Sequence, residues 1–185
     1  MPIRTQTASG GGTLIAIPAE LAALWRGTLA PEGVKPPPGW SWGKACDFLC
    51  DYDRICDWAL FSERTEYGAI AFIAVGGRQA LALDAEIGTA WVALPDGGAL
   101  VRNPVDERPP EELVRAAQAS GFRPQGELEL VEGRLFVFDS AFAGAADPEA
   151  ITAHDGVVVA QPGPGRYQVG LASPGGCDVI RFTRL

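Results

Sequence analysis

The sequence predicts an α+β fold made mostly of antiparallel β-sheet, with about nine strands and two helices. Short apolar segments recur along most of the chain, and brief turns rich in Gly and Pro separate them. Only two segments have the spacing of apolar residues that is typical of a helix. Strands joined by such short links pair with their neighbours in the antiparallel sense, so the predicted sheet is antiparallel.

The N-terminal part predicts one strand and one helix. Thr13–Ile17 is short and apolar, which indicates a first strand. A helix is expected near residues 18–27, because Leu21, Leu24 and Trp25 share one helical face. The following stretch up to residue 43 is rich in Pro and Gly and predicts an irregular loop.

Most of the remaining chain predicts strands. Three pairs of strands flank turns that contain Gly, and each pair predicts a β-hairpin. The pairs are Gly68–Val75 with Arg78–Asp84, Ala90–Leu94 with Ala99–Arg102, and Glu127–Val131 with Arg134–Phe138. The second helix is expected over residues 109–120, because two prolines and two glutamates begin it as the helix dipole favours. Three closing strands follow: Gly156–Ala160, Arg166–Leu171 and Asp178–Thr183.

Composition excludes several classes of function. The 185 residues carry a net charge of −8, and binding to nucleic acid requires a basic surface. An acidic protein suits a basic protein partner, although solubility alone also explains the charge. Residues 1–13 contain no apolar core of signal-peptide length, and no later apolar run is long enough to span a membrane. We therefore expect a cytoplasmic protein.

Cysteine and histidine give no indication of a metal or cofactor. The spacing of Cys46, Cys50 and Cys56 matches no standard zinc motif, and nothing in the sequence brings Cys177 to them. Small buried thiols are the expected interpretation. His154 is the only histidine, and its surroundings indicate a turn rather than a catalytic site. We predict no cofactor, no metal and no catalytic residues.

The segment Asp51–Cys56 combines two carboxylates, a phenol and a guanidinium with apolar residues on either side. Polar groups held between apolar residues need fixed partners, because burying an unpaired charge is costly. One interpretation is structural: Arg54 neutralises Asp51 or Asp53 and fixes a loop to the core. The other is functional: the acids belong to a binding epitope or a catalytic pair.

Two further segments allow both interpretations. Trp40 and Trp42 alternate around a serine, so both could lie on one face of an extended segment. They either pack the Pro-rich loop onto the protein or serve as exposed anchors for a partner. Asp139 and Ser140 end a strong strand before a loop of small residues. We expect them to accept hydrogen bonds from that loop's backbone, the alternative being the rim of a ligand site.

Several of these motifs, taken in order, resemble immunity protein family 21 of bacterial polymorphic toxin systems. The matching motifs span nearly the whole chain, and the strongest is Asp51–Cys56. The others are Ser9–Gly12, Leu14–Pro18, Leu24–Gly27, Val75–Gly77, Gln79–Leu81, Gly97–Arg102, Phe138–Ala141 with Gly144, and Pro164–Tyr167. The resemblance implies a single domain over residues 1–185. The end of the second predicted helix and the new run of hairpins after it allow a subdivision near residue 124. The resemblance also implies a protein that binds and neutralises a cognate toxin and performs no reaction.

A toxin inhibitor needs an interface, and acids with aromatic anchors suit one that covers a basic cleft. The predicted partner-binding residues are Asp47, Asp51, Tyr52, Asp53, Asp57, Trp40 and Trp42, and the predicted structural residues are Arg54, Asp139 and Ser140. Two other functions stay open. One is a small hydrolase that pairs Asp51 or Asp53 with Asp139 in acid–base roles. The other is a module that binds a small ligand on the sheet. A deep pocket with a perturbed carboxylate would favour the hydrolase, and an exposed acidic and aromatic patch would favour the inhibitor.

Overall fold

The computed structural model describes residues 4–7, 12–29, 50–61, 70–83, 88–103, 109–151 and 156–185. These residues form eleven strands and three α-helices. The strands are β1 (Arg4–Thr7), β2 (Leu14–Pro18), β3 (Ile70–Val75), β4 (Arg78–Leu83), β5 (Gly88–Leu94), β6 (Gly97–Asn103), β7 (Arg123–Leu130), β8 (Leu135–Asp139), β9 (Val158–Ala160), β10 (Gly165–Ala172) and β11 (Asp178–Arg184). The helices are α1 (Ala19–Ala22), α2 (Asp51–Phe61) and α3 (Pro110–Ala117).

The strands form two sheets, and every paired neighbour is antiparallel. One sheet has six strands in the order β1-β5-β6-β11-β10-β7, and the other has five in the order β3-β4-β2-β8-β9. The predicted class, α+β with mostly antiparallel sheet, is confirmed. Both sheets contain strands from before and after residue 124.

The alternation of side chains along each strand produces a layered arrangement. In β2, Leu14 and Ala16 join a core that lies between the two sheets, whereas Ile15 and Ile17 point to the opposite face. That opposite face is covered by α1, α2 and the loop after β8. The outer face of the six-stranded sheet is covered by α3. The five-stranded sheet is therefore buried on two faces, as is the six-stranded sheet where α3 covers β5, β6 and β11. Each fully buried Leu or Ile contributes roughly 1.5–3 kcal/mol.

The third predicted hairpin is wrong. β7 pairs with β10 in one sheet, whereas β8 pairs with β2 and β9 in the other. All five residues of β8 are buried, which suits a central strand with both faces covered. The first half of β7 is largely exposed and only Leu128 and Leu130 are buried, which suits an edge strand. The short link between the two strands therefore crosses from one sheet to the other.

Four elements differ from the prediction, two in their boundaries and two in being absent from it. The first helix ends at Ala22 rather than near residue 27, because the chain turns at Trp25 to bond the loop after β8. The second predicted helix is present as α3 and is slightly shorter than expected. Strand β1 and helix α2 were not predicted. None of the helices in the described part of the chain has the length and apolar character needed to cross a bilayer.

Candidate functional site

The polar residues at the start of α2 are bound to the turn that follows α1. The Asp51 carboxylate accepts the backbone N–H of Arg26 through Oδ2 at 2.8 Å. Its Oδ1 accepts a guanidinium N–H of Arg54, also at 2.8 Å. One residue on, the Tyr52 backbone N–H donates to the Gly27 carbonyl at 3.1 Å. Acids in a first turn also oppose the positive end of the helix dipole, so Asp51 stabilises the helix in two ways.

The Arg54 guanidinium also contacts an aromatic ring. Its Cζ lies 5.9 Å from the ring centroid of Trp25, which is 1% exposed. A guanidinium over an indole face is attracted by the ring's quadrupole. The Asp51 and Arg54 side chains are 22% and 39% exposed, so water weakens the ion pair. The pair and the ring contact together fix the direction in which α2 leaves the turn.

A second set of bonds ties the same turn to the loop after β8. The indole N–H of Trp25 donates to the Ser140 carbonyl at 2.9 Å, and the Trp25 carbonyl accepts the Gly144 N–H at 2.8 Å. The Thr28 N–H donates to the Ala141 carbonyl at 3.0 Å. Gly27 has a φ of +60°, and a Cβ there would lie 2.3 Å from the Ala141 oxygen. The turn therefore requires glycine for its conformation and for its close packing.

Asp139 and Ser140 differ in how they hold this loop. Asp139 is 4% exposed, and its Oδ1 accepts the Ala141 N–H at 2.9 Å, as expected of a side chain that caps a loop. Ser140 does not accept from the loop. Its hydroxyl and its amide both donate to the Thr13 carbonyl. A buried hydroxyl donates to the nearest acceptor, and here that acceptor is the carbonyl of Thr13, the residue before β2.

A cluster of phenol and thiol groups lies beneath the first turn of α2. Burial raises the pKa of the Tyr52 phenol, and the neighbouring Cys56, Asp139 and Asp53 raise it further. Burial also raises the pKa of the Cys56 thiol, against hydrogen bonds from Thr13 and Tyr52 that lower it. Both groups therefore stay protonated at neutral pH. A reactive cysteine needs the opposite shift, so this cluster does not provide an activated nucleophile.

We call this set of contacts the anchor site. It comprises Trp25–Thr28, Asp51–Arg54 and Asp139–Ala141. It contains three of the predicted partner-binding residues. Asp51 and Asp53 are partly exposed, and Asp53 Oδ2 accepts the Cys50 thiol at 3.2 Å. Tyr52 is 8% exposed and offers a partner little surface.

The other predicted partner-binding residues lie wholly or partly outside the described part of the chain. Trp40, Trp42 and Asp47 lie outside the described residues. The backbone of Asp57 lies in α2, and its side chain is also outside what is described. Within the described residues, no group of three or more His, Cys, Asp or Glu side chains could hold a metal ion. His154 and Cys46 are not among these residues.

The sequence did not reveal that the acidic segment begins a helix. A signal was present, because Tyr52 and Ile55 are spaced like one face of a helix and both are buried. The backbone partners of Asp51 and Tyr52 could not be read from sequence, since Arg26, which donates to Asp51, and Gly27, which accepts from Tyr52, lie far away along the chain. The loop after β8 was identified as a loop, but its bonds to Trp25 were not foreseen.

The comparisons with known proteins give one match. A family model described as Immunity protein 21 matches residues 6–175. No curated protein and no solved structure shows a match to this chain. The matched range contains every residue of the anchor site and all of the two sheets except β11 and the first two residues of β1.

Proposed function

The chain belongs to the immunity protein 21 family, and from this premise we propose that it neutralises a cognate polymorphic toxin by direct, stoichiometric binding. The family match over residues 6–175 is the observation that carries the proposal. An inhibitor of this kind covers the toxin's working surface and needs no reaction of its own. It acts in the cytoplasm of the bacterial cell that makes the toxin.

Charge supports a basic partner. The chain carries a net charge of −8, and opposite charge on a toxin would accelerate diffusional encounter. Such steering weakens as salt screens it, with a Debye length of about 8 Å at physiological ionic strength. We expect the association rate to fall with added salt while the dissociation rate changes little.

The acids at and near α2 belong to this proposal. Asp51 and Asp53 belong to the anchor site and are partly exposed, and we propose that they add to the attractive field, with Asp47 and Asp57. Tyr52 supports the position of α2 from beneath. Removing an exposed acid should slow association, whereas removing a buried aromatic should act through stability.

The test is co-expression with the toxin domain encoded beside this chain's gene. Growth should be restored by the wild-type chain, and the two purified proteins should form a one-to-one complex that buries on the order of 1,200–2,000 Å². Cells that lack the chain serve as the negative control, and the exposed-site variant Leu24→Ala serves as the positive control. Equal killing with and without the wild-type chain, together with no complex by calorimetry, would overturn the proposal.

A further inference from the structure

The backbone hydrogen bonds of β8 determine which residues of β9 direct their main-chain N–H and C=O groups towards β8. Ala19 donates its N–H to the Arg134 carbonyl, and Ser140 donates its N–H to the Thr13 carbonyl, both at 3.0 Å. Residues of a strand direct their N–H and C=O alternately to the two sides. Even-numbered residues of β8 therefore face β2. Leu135 and the other odd-numbered residues face β9.

The outer edge of β9 follows from this alternation. Ala160 and Val158 are the register partners of Leu135 and Val137, so they form the hydrogen-bonded pairs with β8. The main-chain groups of Val159, and by continuation Val157, then point away from the sheet. β9 ends the strand order of its sheet, and no described strand pairs with it on that side.

A groove of about 930 Å³ runs beside this edge. Trp91 and Ala93 of β5 form one wall, and Val157 and Val159 form the other. Trp91 is 8% exposed, and the two valines are half-buried. The groove therefore combines apolar walls with an unpaired strand edge, which is the arrangement that proteins use to accept an extended segment from a partner.

Charge at the rim distinguishes between possible occupants. Glu149 lines the groove and is exposed, and Asp147, two residues earlier in the same loop, is exposed as well. The only guanidinium lining the described part of the groove belongs to Arg134, which is 2.8 Å from Glu132 and so already paired. The rim is net negative. A second copy of this chain would bring two such rims together, whereas a basic partner would be attracted.

The other sheet shows how an edge is normally protected. β7 carries exposed Arg123, Glu127 and Glu129 together with Pro124, and its pairing with β10 has an irregular register. Charge, proline and irregularity all discourage the addition of another strand. The sequence Val157–Ala160 has none of these features.

We propose that the edge of β9 receives an extended segment of the toxin as an added strand. The main chain of that segment pairs with Val157 and Val159, its apolar side chains enter the groove against Trp91, and basic side chains flank it at the acidic rim. This rests on the proposed function, and it names the surface on which that function is performed.

Amide hydrogen exchange measured by NMR tests the pairing directly. In the free protein the amides of Val158 and Ala160 should exchange slowly and those of Val157 and Val159 quickly. Saturation with the purified toxin domain from the neighbouring gene should slow exchange at Val157 and Val159 by at least about tenfold, the factor for an added free energy near 1.4 kcal/mol. A tight complex that leaves these two amides exchanging as before would overturn the proposed surface and leave the proposed function standing.

Two substitutions at one position give a matched test. Val159→Pro removes the outward N–H, which the ladder with β8 does not use. Val159→Thr keeps that N–H and nearly the same shape. We expect Val159→Pro to weaken toxin binding at least about tenfold and Val159→Thr to change it by less than about threefold. Thermal unfolding checks that both variants are folded, and if Val159→Pro is not, the exchange experiment decides.

The remaining outcomes are also decisive. If the wild-type chain does not bind the toxin at all, the proposed function fails and the surface fails with it. If the two variants bind the toxin equally, only the surface fails. Sedimentation that shows a dimer of this chain, broken by Val159→Pro, would make a second copy the occupant and overturn the assignment to the toxin.

Discussion

The anchor site and the β9 edge use their polar groups in opposite ways. At the anchor site, the Asp51 carboxylate, the Trp25 indole and the Ser140 hydroxyl all bind other parts of the same chain. At the β9 edge, the main-chain groups of Val157 and Val159 point outward. The residues with the most distinctive chemistry therefore hold the fold, and the surface proposed for the partner consists of ordinary apolar residues.

The two regions are physically connected. The loop after β8 bonds Trp25 through the Ser140 carbonyl and the Gly144 amide. The described part of the same loop reaches Ile151, which lines the groove beside β9 and packs in the core beneath α2. Substitutions at the anchor site should therefore reduce stability first and affect binding only through the position of this loop.

The largest effect that would test this contrast is expected at Trp25. Trp25→Ala removes a fully buried ring and leaves the Ser140 carbonyl without its donor, which should lower the free energy of unfolding by about 3–5 kcal/mol. Leu24→Ala is the neighbouring control. Leu24 is 54% exposed, and its loss should cost less than about 0.5 kcal/mol. Urea unfolding measures both, and similar losses would show that the turn is not an anchor.

Asp51 should give the second-largest effect. Asp51→Ala removes the acceptor for the Arg26 amide and the partner of Arg54, so we expect a loss of roughly 1–2 kcal/mol. Asp51→Asn keeps an acceptor oxygen and should recover part of this loss. Toxin affinity measured on the folded variant should change far less than with Val159→Pro. A large loss of affinity at unchanged stability would instead place Asp51 at the interface.

The parts of the fold that depend on local sequence were predictable. The turn between β3 and β4 and the turn between β5 and β6 were read from their glycines, and both hairpins are present. The pairing of β7 was not predictable in the same way, because its partner β10 lies far along the chain. A short link suggests pairing but does not require it when each strand packs better in a different sheet.

The site was only partly predictable for the same reason. The Asp51–Arg54 contact joins residues three apart, and sequence proposed it as one of two pairings. The bond from Arg26 to Asp51 and the groove beside β9 arise only when distant segments meet. No composition or spacing distinguishes Val157 and Val159 from core valines, since their role depends on which strand ends the sheet.

Arg54 should give a smaller effect than Asp51. Arg54→Ala breaks a partly exposed ion pair and the contact with the Trp25 ring, and we expect a loss of about 1 kcal/mol. A double-mutant cycle with Asp51→Ala isolates the pair, and its coupling should be roughly 0.2–1 kcal/mol. A coupling near zero would mean that Arg54 acts mainly through Trp25.

The smallest effect is expected at Glu20 of α1, whose carboxylate accepts hydrogen bonds from Arg78 and the Val131 amide. Burial pushes the pKa of Glu20 up, but hydrogen bonds from the Val131 amide and Arg78 outweigh it, so the pKa lies below its ordinary value of 4.5. A carboxylate with a lowered pKa contributes stability above that value and loses it as the pH falls through the folded-state pKa. β9 has no titratable side chain, so its edge should show no such dependence of its own.

Glu20→Gln separates the contribution of the Glu20 charge from that of its hydrogen bonds. At neutral pH it should cost roughly 0.5–1 kcal/mol, because the Gln oxygen still accepts a hydrogen bond but carries no charge beside Arg78. The difference from the wild-type chain should begin to shrink near pH 4.5, where Glu20 binds a proton in the unfolded chain, and should continue to shrink as the pH falls through the lower pKa of Glu20 in the folded protein. Urea unfolding across that range measures it, with Glu132→Gln as an exposed control that should show little change. A difference that stays constant with pH would mean that the Val131 amide, and not the charge, holds Glu20 in place.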